Sequence, residues 1–313
     1  MRLCKEAAAA AAWLSPKMER VRWAFSFGSW QPRCSEWLLA ARSVPEEERE
    51  RIDKFVFAKD AKAAMSGHLL IRKLIAEKLK IPWNEIQLKR TAKGKPFLAH
   101  PILDMIPNFN FNISHQGDYT VLAADSDLQV GVDIMKTEFP GSSSVAEFFR
   151  IMNRQFTVHE WNTIKMAGDE WSQLDMFHRY WTLKESFIKA IGVGVAFDLQ
   201  RIEFHVSPLY LEEGQIYKET IMFLDGEQEE DWVFEETMLD DRHHVAVALG
   251  KEDSFGKCPA QVQENNRDLS KFILLTYEDL ISSAITMAPE DPMYWNNFKA
   301  KKERPSRQRQ MPV

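Results

Sequence analysis

Apolar and polar positions along the chain follow two different periods, and the order of the two periods recurs in the second half. Apolar side chains repeat at spacings of three and four over residues 57–79, which predicts a long helix. Pro82 ends this pattern, because proline cannot continue a helix. The stretches around it alternate apolar and polar positions, as half-buried strands do, and Gly117-Asp118 predicts a turn between two of them. The strand-like stretches of the first half are 21–30, 85–90 and 109–124.

The second half shows the same order of elements. A strand at 129–134 leads into two helix-like stretches, and several strand-like stretches close the half. DYTVLAA (118–124) and HHVAVAL (243–249) occupy matching places near the ends of the two halves. The pattern therefore predicts an α+β fold of two similar lobes, each a long helix with an antiparallel sheet, and a site between the lobes. The helix-like stretches are 156–166 and 174–191, and the strand-like ones that follow are 199–206, 217–225, 231–237 and 243–249.

The chain divides accordingly into four parts. Residues 1–17 are predicted to be a disordered leader, 18–130 the first lobe, 131–250 the second lobe and 251–313 a mobile polar tail that is partly docked. Within the tail, KFILLTYEDLI (271–281) is apolar enough to pack on the second lobe. No apolar run approaches the ~20 residues of a membrane-spanning helix, so no membrane segment is predicted.

The stretch RYWTLKESFIKAIGVG (179–194) raises the first question about chemistry. Wound as a helix, it puts Leu183 and Phe187 on one apolar stripe and turns Glu185 and Lys189 the opposite way. A solvated Glu–Lys pair four residues apart stabilises a helix by about 0.3 kcal/mol and needs no further role. Alternatively, the pair faces a substrate.

The strand-like stretch QVGVDIMK raises a similar question. If Val132 and Ile134 face a core, Asp133 turns to the other side of the strand, where a carboxylate is unfavourable for β structure. Asp133 is then either an exposed residue near a strand end or a site residue. Gly131 beside it leaves room for the close approach of a ligand.

Two further stretches carry side chains suited to phosphate. RTAKGKP places Arg90, Lys93 and Lys95 around a glycine in a tight turn, where they and the backbone N–H groups can bind one phosphate. A basic hairpin turn without a ligand is the alternative. Ser114 and His115 follow an apolar strand and are either contacts to a phosphate or base, or ordinary polar residues.

Composition narrows the classes of function. A net charge of -6 over 313 residues argues against a general nucleic-acid surface, so an anionic ligand needs a local basic cluster. Three widely spaced cysteines form no metal or disulfide pattern, which suits a reducing compartment such as the cytosol. The sequence contains no P-loop, dinucleotide fingerprint, zinc-protease helix or Gly-x-Ser-x-Gly elbow.

Taken together and in order, RTAKGKP, FNISHQGD, GVDIM and WTLKESFIKAIGVG resemble the motifs of the 4'-phosphopantetheinyl transferases, in their larger two-lobed, Sfp-like class. The strongest part is W-x-x-K-E-x-x-x-K-x-x-G, from Trp181 to Gly192, with the upstream G-V-D. The resemblance runs from about Val21 to Leu249. It implies the fold of that family, two lobes in a pseudo-twofold arrangement. It also implies an enzyme that transfers the 4'-phosphopantetheine arm of coenzyme A to a serine of an apo carrier protein and releases 3',5'-ADP.

The same resemblance implies roles for individual residues. Asp133 and Glu185 match the carboxylates that bind Mg²⁺, and Lys189 would neutralise charge on the transferred phosphate. Glu185, directly or through a metal-bound water, is the candidate base for the serine proton, and Lys189 the acid or electrostatic partner. Ser114 and His115 resemble the pair that reaches the 3'-phosphate. The residues implied to contact coenzyme A are Arg51, Arg90, Thr91, Ala92, Lys93, Gly94, Lys95, Asn112, Ile113, Ser114, His115, Asp133, Glu185 and Lys189.

Some points stay open on the sequence. Met135 stands where many relatives carry a further acid, and since a thioether is a poor Mg²⁺ ligand, water or a neighbour such as Gln116 would fill that place. Arg51 fits a charged helix face equally well. A non-catalytic coenzyme A or carrier-domain binding protein is the alternative that Met135 favours, and a phosphotransferase using a nucleoside triphosphate has no motif in its support. The expected partners are coenzyme A and apo carrier domains such as those of fatty acid synthase, for a cytosolic monomer.

Overall fold

The computed structural model describes residues 20–194, 197–250 and 271–303. The predicted leader lies outside these residues, as do the parts of the predicted tail at 251–270 and 304–313. The described helices include none that is long and apolar enough to cross a membrane.

The strands are β1 (Val21–Ser26), β2 (Leu88–Arg90), β3 (Pro96–Leu98), β4 (Asn110–Gln116), β5 (Tyr119–Asp125), β6 (Gln129–Lys136), β7 (Ile202–His205), β8 (Ile221–Leu224), β9 (Glu227–Gln228), β10 (Trp232–Met238), β11 (His243–Gly250) and β12 (Ile273–Leu274). The helices are α1 (Cys34–Arg42), α2 (Glu46–Asp53), α3 (Ala58–Lys78), α4 (Val145–Ile151), α5 (Val158–Met166), α6 (Glu170–Ile191), α7 (Tyr277–Ile281) and α8 (Pro292–Lys299).

The first lobe packs a four-stranded sheet against helix α3. The sheet has the order β12-β1-β5-β4, and β5 pairs antiparallel with both of its neighbours. The predicted turn joins β4 to β5, since Gln116 pairs with Tyr119 across Gly117-Asp118. The long apolar face of α3, with Leu74 fully buried, closes the core on the sheet.

The second lobe packs helix α6 against the sheet β10-β11-β6. β11 lies in the centre and pairs antiparallel with both neighbours. α6 begins after Asp169, whose side chain accepts from the Ser172 N–H, and ends at Gly192 with a left-handed φ of 68°. Its apolar side chains, including Leu183 and Phe187, are buried in the lobe core. A smaller antiparallel sheet, β7-β8-β9, lies beside it.

The two sheets place equivalent strands at their centres. The stretch 118–124 supplies β5 between β1 and β4, and the stretch 243–249 supplies β11 between β10 and β6. The predicted α+β fold of two similar lobes is therefore confirmed. Among the described strands, β12 departs from the antiparallel pattern, because it pairs parallel to β1 at the sheet edge.

Side chains of β4 fix the junction between the lobes. β4 of the first lobe faces β6 of the second. Asn112 Oδ1 accepts from the Val132 N–H at 3.1 Å, and Gln116 Oε1 accepts from the Lys136 N–H at 2.6 Å. These bonds determine where along β4 the strand carrying Asp133 lies. A separate apolar core fills the junction, with Ala24, Val121, Ala123, Val130, Val132, Ile134, Val245, Val247 and Leu249.

The last described segment returns to the first lobe. Ile273 pairs with Trp23, and helices α7 and α8 pack against α1, α2 and α3. Tyr277 stacks on Trp30 with ring centroids 5.4 Å apart. The prediction that residues 271–281 pack on the second lobe is wrong for most of the segment, since only its start touches that lobe, where Phe272 packs on the junction core. The apolar pattern of a segment indicates that it docks, whereas the surface it docks on depends on tertiary contacts that the pattern does not contain.

Candidate active site between the two lobes

A cluster of polar side chains surrounds Asp133 of β6 at the junction of the lobes. Ser114 of β4 donates its hydroxyl hydrogen to Asp133 Oδ1 at 2.8 Å. Lys189 of α6 places Nζ 2.5 Å from the same carboxylate oxygen and 2.7 Å from Ser114 Oγ. Asp133 Oδ2 is buried and has no hydrogen-bond partner among the described residues. Elements of both lobes therefore meet at one carboxylate.

Helix α6 presents Glu185 and Lys189 to this cluster. Leu183 and Phe187 on its opposite stripe are buried in the core, as the periodicity predicts. Burial raises the pKa of Glu185, the negative charge of Asp133 raises it further, and Lys189 lowers it. A Glu–Lys pair on a solvated helix surface would have neither this burial nor a carboxylate such as Asp133 next to it. Glu185 and Lys189 thus face the junction, and the functional alternative of the sequence analysis is the one that the geometry favours.

Gly131 determines how closely α6 approaches β6. A β-carbon at this position would lie 1.9 Å from the carbonyl oxygen of Ser186 and 2.4 Å from the backbone nitrogen of Ala190. Any larger residue would push the helix away. The interpretation that Gly131 leaves room for a ligand is wrong, because the helix backbone occupies that space. This close crossing brings the face of α6 that carries Glu185 and Lys189 next to β6.

Lys184, the other charged residue of the W-x-x-K-E motif, points away from the junction. Its Nζ donates to the carbonyl oxygens of Leu199 and Ile202, each at 2.8 Å, and lies 2.7 Å from Glu160 Oε2. Both charged side chains are almost fully buried. A buried charge needs such partners, and Lys184 therefore fastens α6 to α5 and to the start of β7. The W-x-x-K-E motif therefore combines a structural residue, Lys184, with a residue of the candidate site, Glu185.

The basic turn of the first lobe reaches across to the second lobe. Lys95 Nζ lies 3.4 Å from the carbonyl oxygen of Lys189. Within the turn, Arg90 donates to the carbonyl oxygen of Gly94 at 3.1 Å, and Thr91 Oγ1 accepts from the Lys95 N–H. Burial lowers the pKa of Lys95 to about 8. The turn, which also contains the exposed Ala92 and Lys93, is thus one wall of the cleft.

A charged network in the first lobe holds Arg51 next to Arg90, and the sequence analysis missed it. Glu48 Oε2 accepts from Arg51 at 2.6 Å and lies 2.8 Å from His68 Nε2, while its Oε1 is 3.6 Å from Arg90. Burial opposes ionisation of Glu48, but His68 and Arg51 outweigh it and lower the pKa to about 2. His68 is buried in α3, and its sequence context gave no signal beyond an apolar helix face.

The β4 residues named by the resemblance divide between two faces of the strand. Asn112 and Ser114 bond to β6, whereas Ile113 packs on the first-lobe core and His115 is exposed to the cleft. Desolvation by the cleft walls lowers the pKa of His115, and the ammonium of Lys189 lowers it further. The structure therefore gives Asn112 a place in the junction between the strands, and His115 a place in the cleft.

The donor set around Asp133 suits Mg²⁺. Mg²⁺ prefers oxygen ligands, and the carboxylates of Asp133 and Glu185 supply them, including the partnerless Oδ2 of Asp133. Within the described residues, His159, Glu203 and His205 form a group of three potential ligands, whose ligand atoms lie within 4.8 Å of one another. The two imidazole rings there stack 4.0 Å apart at 20°, so their nitrogen lone pairs do not converge on one ion.

Comparison with known proteins gives the family. The family model described as "4'-phosphopantetheinyl transferase, N-terminal" matches residues 28–127, and the model described as "4'-phosphopantetheinyl transferase superfamily" matches residues 129–248. The L-aminoadipate-semialdehyde dehydrogenase-phosphopantetheinyl transferase of Homo sapiens is 60% identical over 295 residues, which are 94% of this chain and 96% of that protein. The protein of the same name from Xenopus laevis is 60% identical over 292 residues, 93% of this chain and 96% of its own length.

A more distant relative extends the comparison. A phosphopantetheinyl transferase of Thraustochytrium sp. is 40% identical over 232 residues, 72% of this chain and 77% of that protein. The two family matches together contain β4, β6 and α6, the elements that bring Ser114, Asp133, Glu185 and Lys189 together. The chain belongs to the 4'-phosphopantetheinyl transferase superfamily.

Proposed function

We propose that this transferase moves the 4'-phosphopantetheine arm of coenzyme A to a serine of an apo carrier-protein domain in the cleft around Asp133. The observation that carries the proposal is the meeting of carboxylates from the second lobe with a basic turn from the first, where Lys95 Nζ lies 3.4 Å from the Lys189 carbonyl oxygen. Phosphoryl transfer depends mainly on positioning and on charge stabilisation. The cleft therefore contains cationic side chains that can bind the pyrophosphate. It also contains carboxylates that can bind a metal ion and accept a proton.

Binding of coenzyme A is proposed for the first-lobe wall. Arg51, Arg90, Lys93 and Lys95 would bind its phosphates, since guanidinium and ammonium groups make strong charge-assisted hydrogen bonds to phosphate oxygens. His115, on the exposed side of β4, would reach the 3'-phosphate. The Glu48 network supports this arrangement, because it keeps Arg51 and Arg90 in place beside each other.

Asp133 and Glu185 are the proposed ligands of Mg²⁺. When bound, the ion supplies positive charge to the pyrophosphate oxygens. Met135, two residues along β6 from Asp133, contributes no oxygen, and water is the proposed ligand in its place. Gln116 lies next to this part of β6, where its amide oxygen accepts from the Lys136 N–H. Its role near the metal stays a prediction.

The chemistry follows from the side chains on α6. The carrier serine oxygen would form a bond to the phosphorus that carries pantetheine while the bond to 3',5'-ADP breaks. Glu185, directly or through a metal-bound water, would take the serine proton. Lys189 would neutralise charge on the transferred phosphate, next to Asp133 and Ser114.

The proposed partners are carrier domains. The human relative is named for L-aminoadipate-semialdehyde dehydrogenase, and a carrier domain of such an enzyme and one of fatty acid synthase are the substrates we would test. A cytosolic monomer is the proposed state. Cys34, an exposed free thiol, suits a reducing compartment, and one chain supplies both walls of the cleft.

The test is the intact mass of an apo carrier domain after incubation with this protein, coenzyme A and Mg²⁺. The expected result is a mass gain of one phosphopantetheine on the carrier serine, with release of 3',5'-ADP and loss of the reaction in EDTA. No gain on two different carriers, with coenzyme A still bound, would support the binding-protein alternative. Competition by ATP against coenzyme A binding would support a nucleoside triphosphate as substrate.

A further inference from the structure

Helix α8 and the residues after it are attached to the end of helix α2. Tyr294 donates its hydroxyl hydrogen to the carbonyl oxygen of Arg49 at 3.1 Å, and Asn297 donates to Asp53 Oδ2 at 2.9 Å. α8 is itself held by the first-lobe core, where Phe298 stacks on a buried tryptophan with ring centroids 3.8 Å apart. The C-terminal segment therefore provides a fixed support for α2.

Lys301 contacts the carbonyl groups at the end of α2 and just after it. Its Nζ donates to the carbonyl oxygens of Asp53 at 2.6 Å and of Phe55 at 2.8 Å, and its side chain is only 7% exposed. The last carbonyl groups of a helix have no partner within the helix, and a cation near them is favoured by the helix dipole. Lys301 therefore caps α2 from the far end of the chain.

Helix α2 needs such outside support. Its sequence is EEERERID, and Ile52 is its one buried residue within the described structure. No side chain caps its first turn in the described structure. A helix of eight residues with so little apolar surface is marginal on its own, because most helix stability in proteins comes from a packed face. The position of α2 thus depends on the contacts made by its neighbours.

The supported end of α2 carries Arg51. Its guanidinium lies 5.8 Å from the ring centroid of Phe55, the residue whose carbonyl oxygen Lys301 holds, and donates to Glu48 at 2.6 Å. The charge of Arg51 also acts on His115 in the cleft. If Phe55 moved, Arg51 would lose the ring on one side and keep its contacts to Glu48 and, at 3.1 Å, to His68 Nε2 on the other.

We propose that Lys301 is a positioning residue for coenzyme A: it holds the end of α2 and Phe55 so that Arg51 points into the cleft. This inference rests on the proposed role of Arg51 in binding coenzyme A. It assigns a role in coenzyme A binding to a residue of the C-terminal segment, which lies outside the four motifs.

The test measures the Kd of coenzyme A by calorimetry, together with transfer to an apo carrier, for the full chain. Lys301→Met keeps the buried stem and removes the donors, and we expect it to raise the Kd about fivefold to tenfold, as for the loss of a charge-assisted phosphate contact. The rate at saturating coenzyme A should stay within about twofold, since the reacting groups lie in the second lobe. Lys301→Arg, which can donate to the same carbonyl oxygens, should restore binding.

Lys73→Met is the matched control. Lys73 is also only 7% exposed and also joins the C-terminal segment to the body of the lobe, through Ser282 Oγ at 3.0 Å, but it does not touch α2. The Kd of coenzyme A should not change in this variant. If Lys301→Met does not fold, Lys301→Gln, which keeps a polar end group, takes its place.

Combination with Arg51→Gln distinguishes positioning from a general structural role. Arg51→Gln alone should raise the Kd about tenfold, and Lys301→Met should then add less than twofold, because it acts through Arg51. An equal factor in both backgrounds, or a folded Lys301→Met with unchanged Kd, would overturn the inference. So would Arg51→Gln with unchanged Kd. Failure of the wild type to transfer would overturn the proposed function separately, because the Kd values do not depend on transfer.

Discussion

The two walls of the cleft are built in different ways. The second-lobe wall consists of β6, whose Val132 and Ile134 are fully buried on either side of Asp133, and of the 22-residue helix α6. The first-lobe wall consists of an exposed turn between two three-residue strands, β2 and β3, and of the highly charged helix α2. One wall is part of a packed core, whereas the other depends on hydrogen bonds and charge.

The difference matches the demands of the proposed reaction. Groups that act on bonds being made and broken must be held closely in place, and side chains on packed elements meet that need. Groups that bind phosphates need charge at the right place, and charged side chains held by hydrogen bonds and ion pairs meet that need. Changes in the second-lobe wall should therefore lower the transfer rate at saturating coenzyme A, and changes in the first-lobe wall should raise the KM for coenzyme A.

Asp133→Asn should have the largest effect, a loss of at least about 10³-fold in transfer rate at saturating coenzyme A. The variant removes the charge that meets Lys189 and that would hold Mg²⁺. Single-turnover intact mass of the carrier measures the rate. Asp225→Asn is the control, because Asp225 is an exposed carboxylate paired with Arg201 away from the cleft. A rate within tenfold of the wild type would contradict the role of Asp133.

Glu185→Gln should lower the transfer rate about 10²-fold with Mg²⁺ saturating, in line with the loss of a general base. The amide keeps the shape of the side chain but cannot take the serine proton. Titration of Mg²⁺ separates this effect from weaker metal binding. If most of the rate returned at high Mg²⁺, the proton would have to go elsewhere.

Lys184→Met should destabilise the protein by about 3 kcal/mol, because it leaves Glu160 as an uncompensated buried charge. Urea unfolding measures the effect. Lys165→Met is the control, since Lys165 is exposed on α5. A stable Lys184→Met variant would show that the packed wall does not depend on this anchor.

Arg90→Gln should raise the KM for coenzyme A about tenfold and leave the rate at saturating coenzyme A within about twofold. Arg90 stands at the start of the exposed turn, where it contacts Gly94 and Glu48 and not Asp133 or Glu185. Initial rates at varied coenzyme A measure both constants, with Arg201→Gln as a control on the far side of the second lobe. A fall in the saturated rate with an unchanged KM would reverse the assignment of the first-lobe wall.

Lys95 should give the smallest effect, a dependence on pH. Its pKa is lowered to about 8, so the ammonium is present below that pH and is lost as the pH rises through it. The KM for coenzyme A should therefore rise about threefold between pH 7.5 and 9, as one phosphate contact is lost. Lys95→Arg keeps its charge over this range and should flatten the profile. The same rise in both proteins would point to another titrating group.

The sequence predicts the second-lobe wall well and the first-lobe wall only in part. The period of α6 correctly separates Glu185 and Lys189 from the buried stripe, because a helix face is a local property of the sequence. The alternation along β6 likewise places Asp133 opposite its buried neighbours. Both predictions depend only on spacing within one element.

Contacts between elements account for what the sequence did not predict. Glu48 and His68 lie 20 residues apart on two helices, and no pattern within either helix indicates their 2.8 Å contact. Gly131 suggests close approach, but the sequence does not say whether a ligand or a helix takes the space. Lys184 and Glu185 are adjacent, yet one is buried and the other faces the cleft, and only the packing of α6 between two neighbours separates their roles.

One paired measurement tests most directly whether the second-lobe wall determines the transfer rate and the first-lobe wall the binding of coenzyme A. Transfer to an apo carrier is followed by intact mass at coenzyme A concentrations from far below to far above the KM, for Asp133→Asn and Arg90→Gln side by side. We expect excess coenzyme A to restore the rate of Arg90→Gln and to leave Asp133→Asn inactive. Restoration of Asp133→Asn by excess coenzyme A, or a deficit of Arg90→Gln that no concentration corrects, would contradict this expectation.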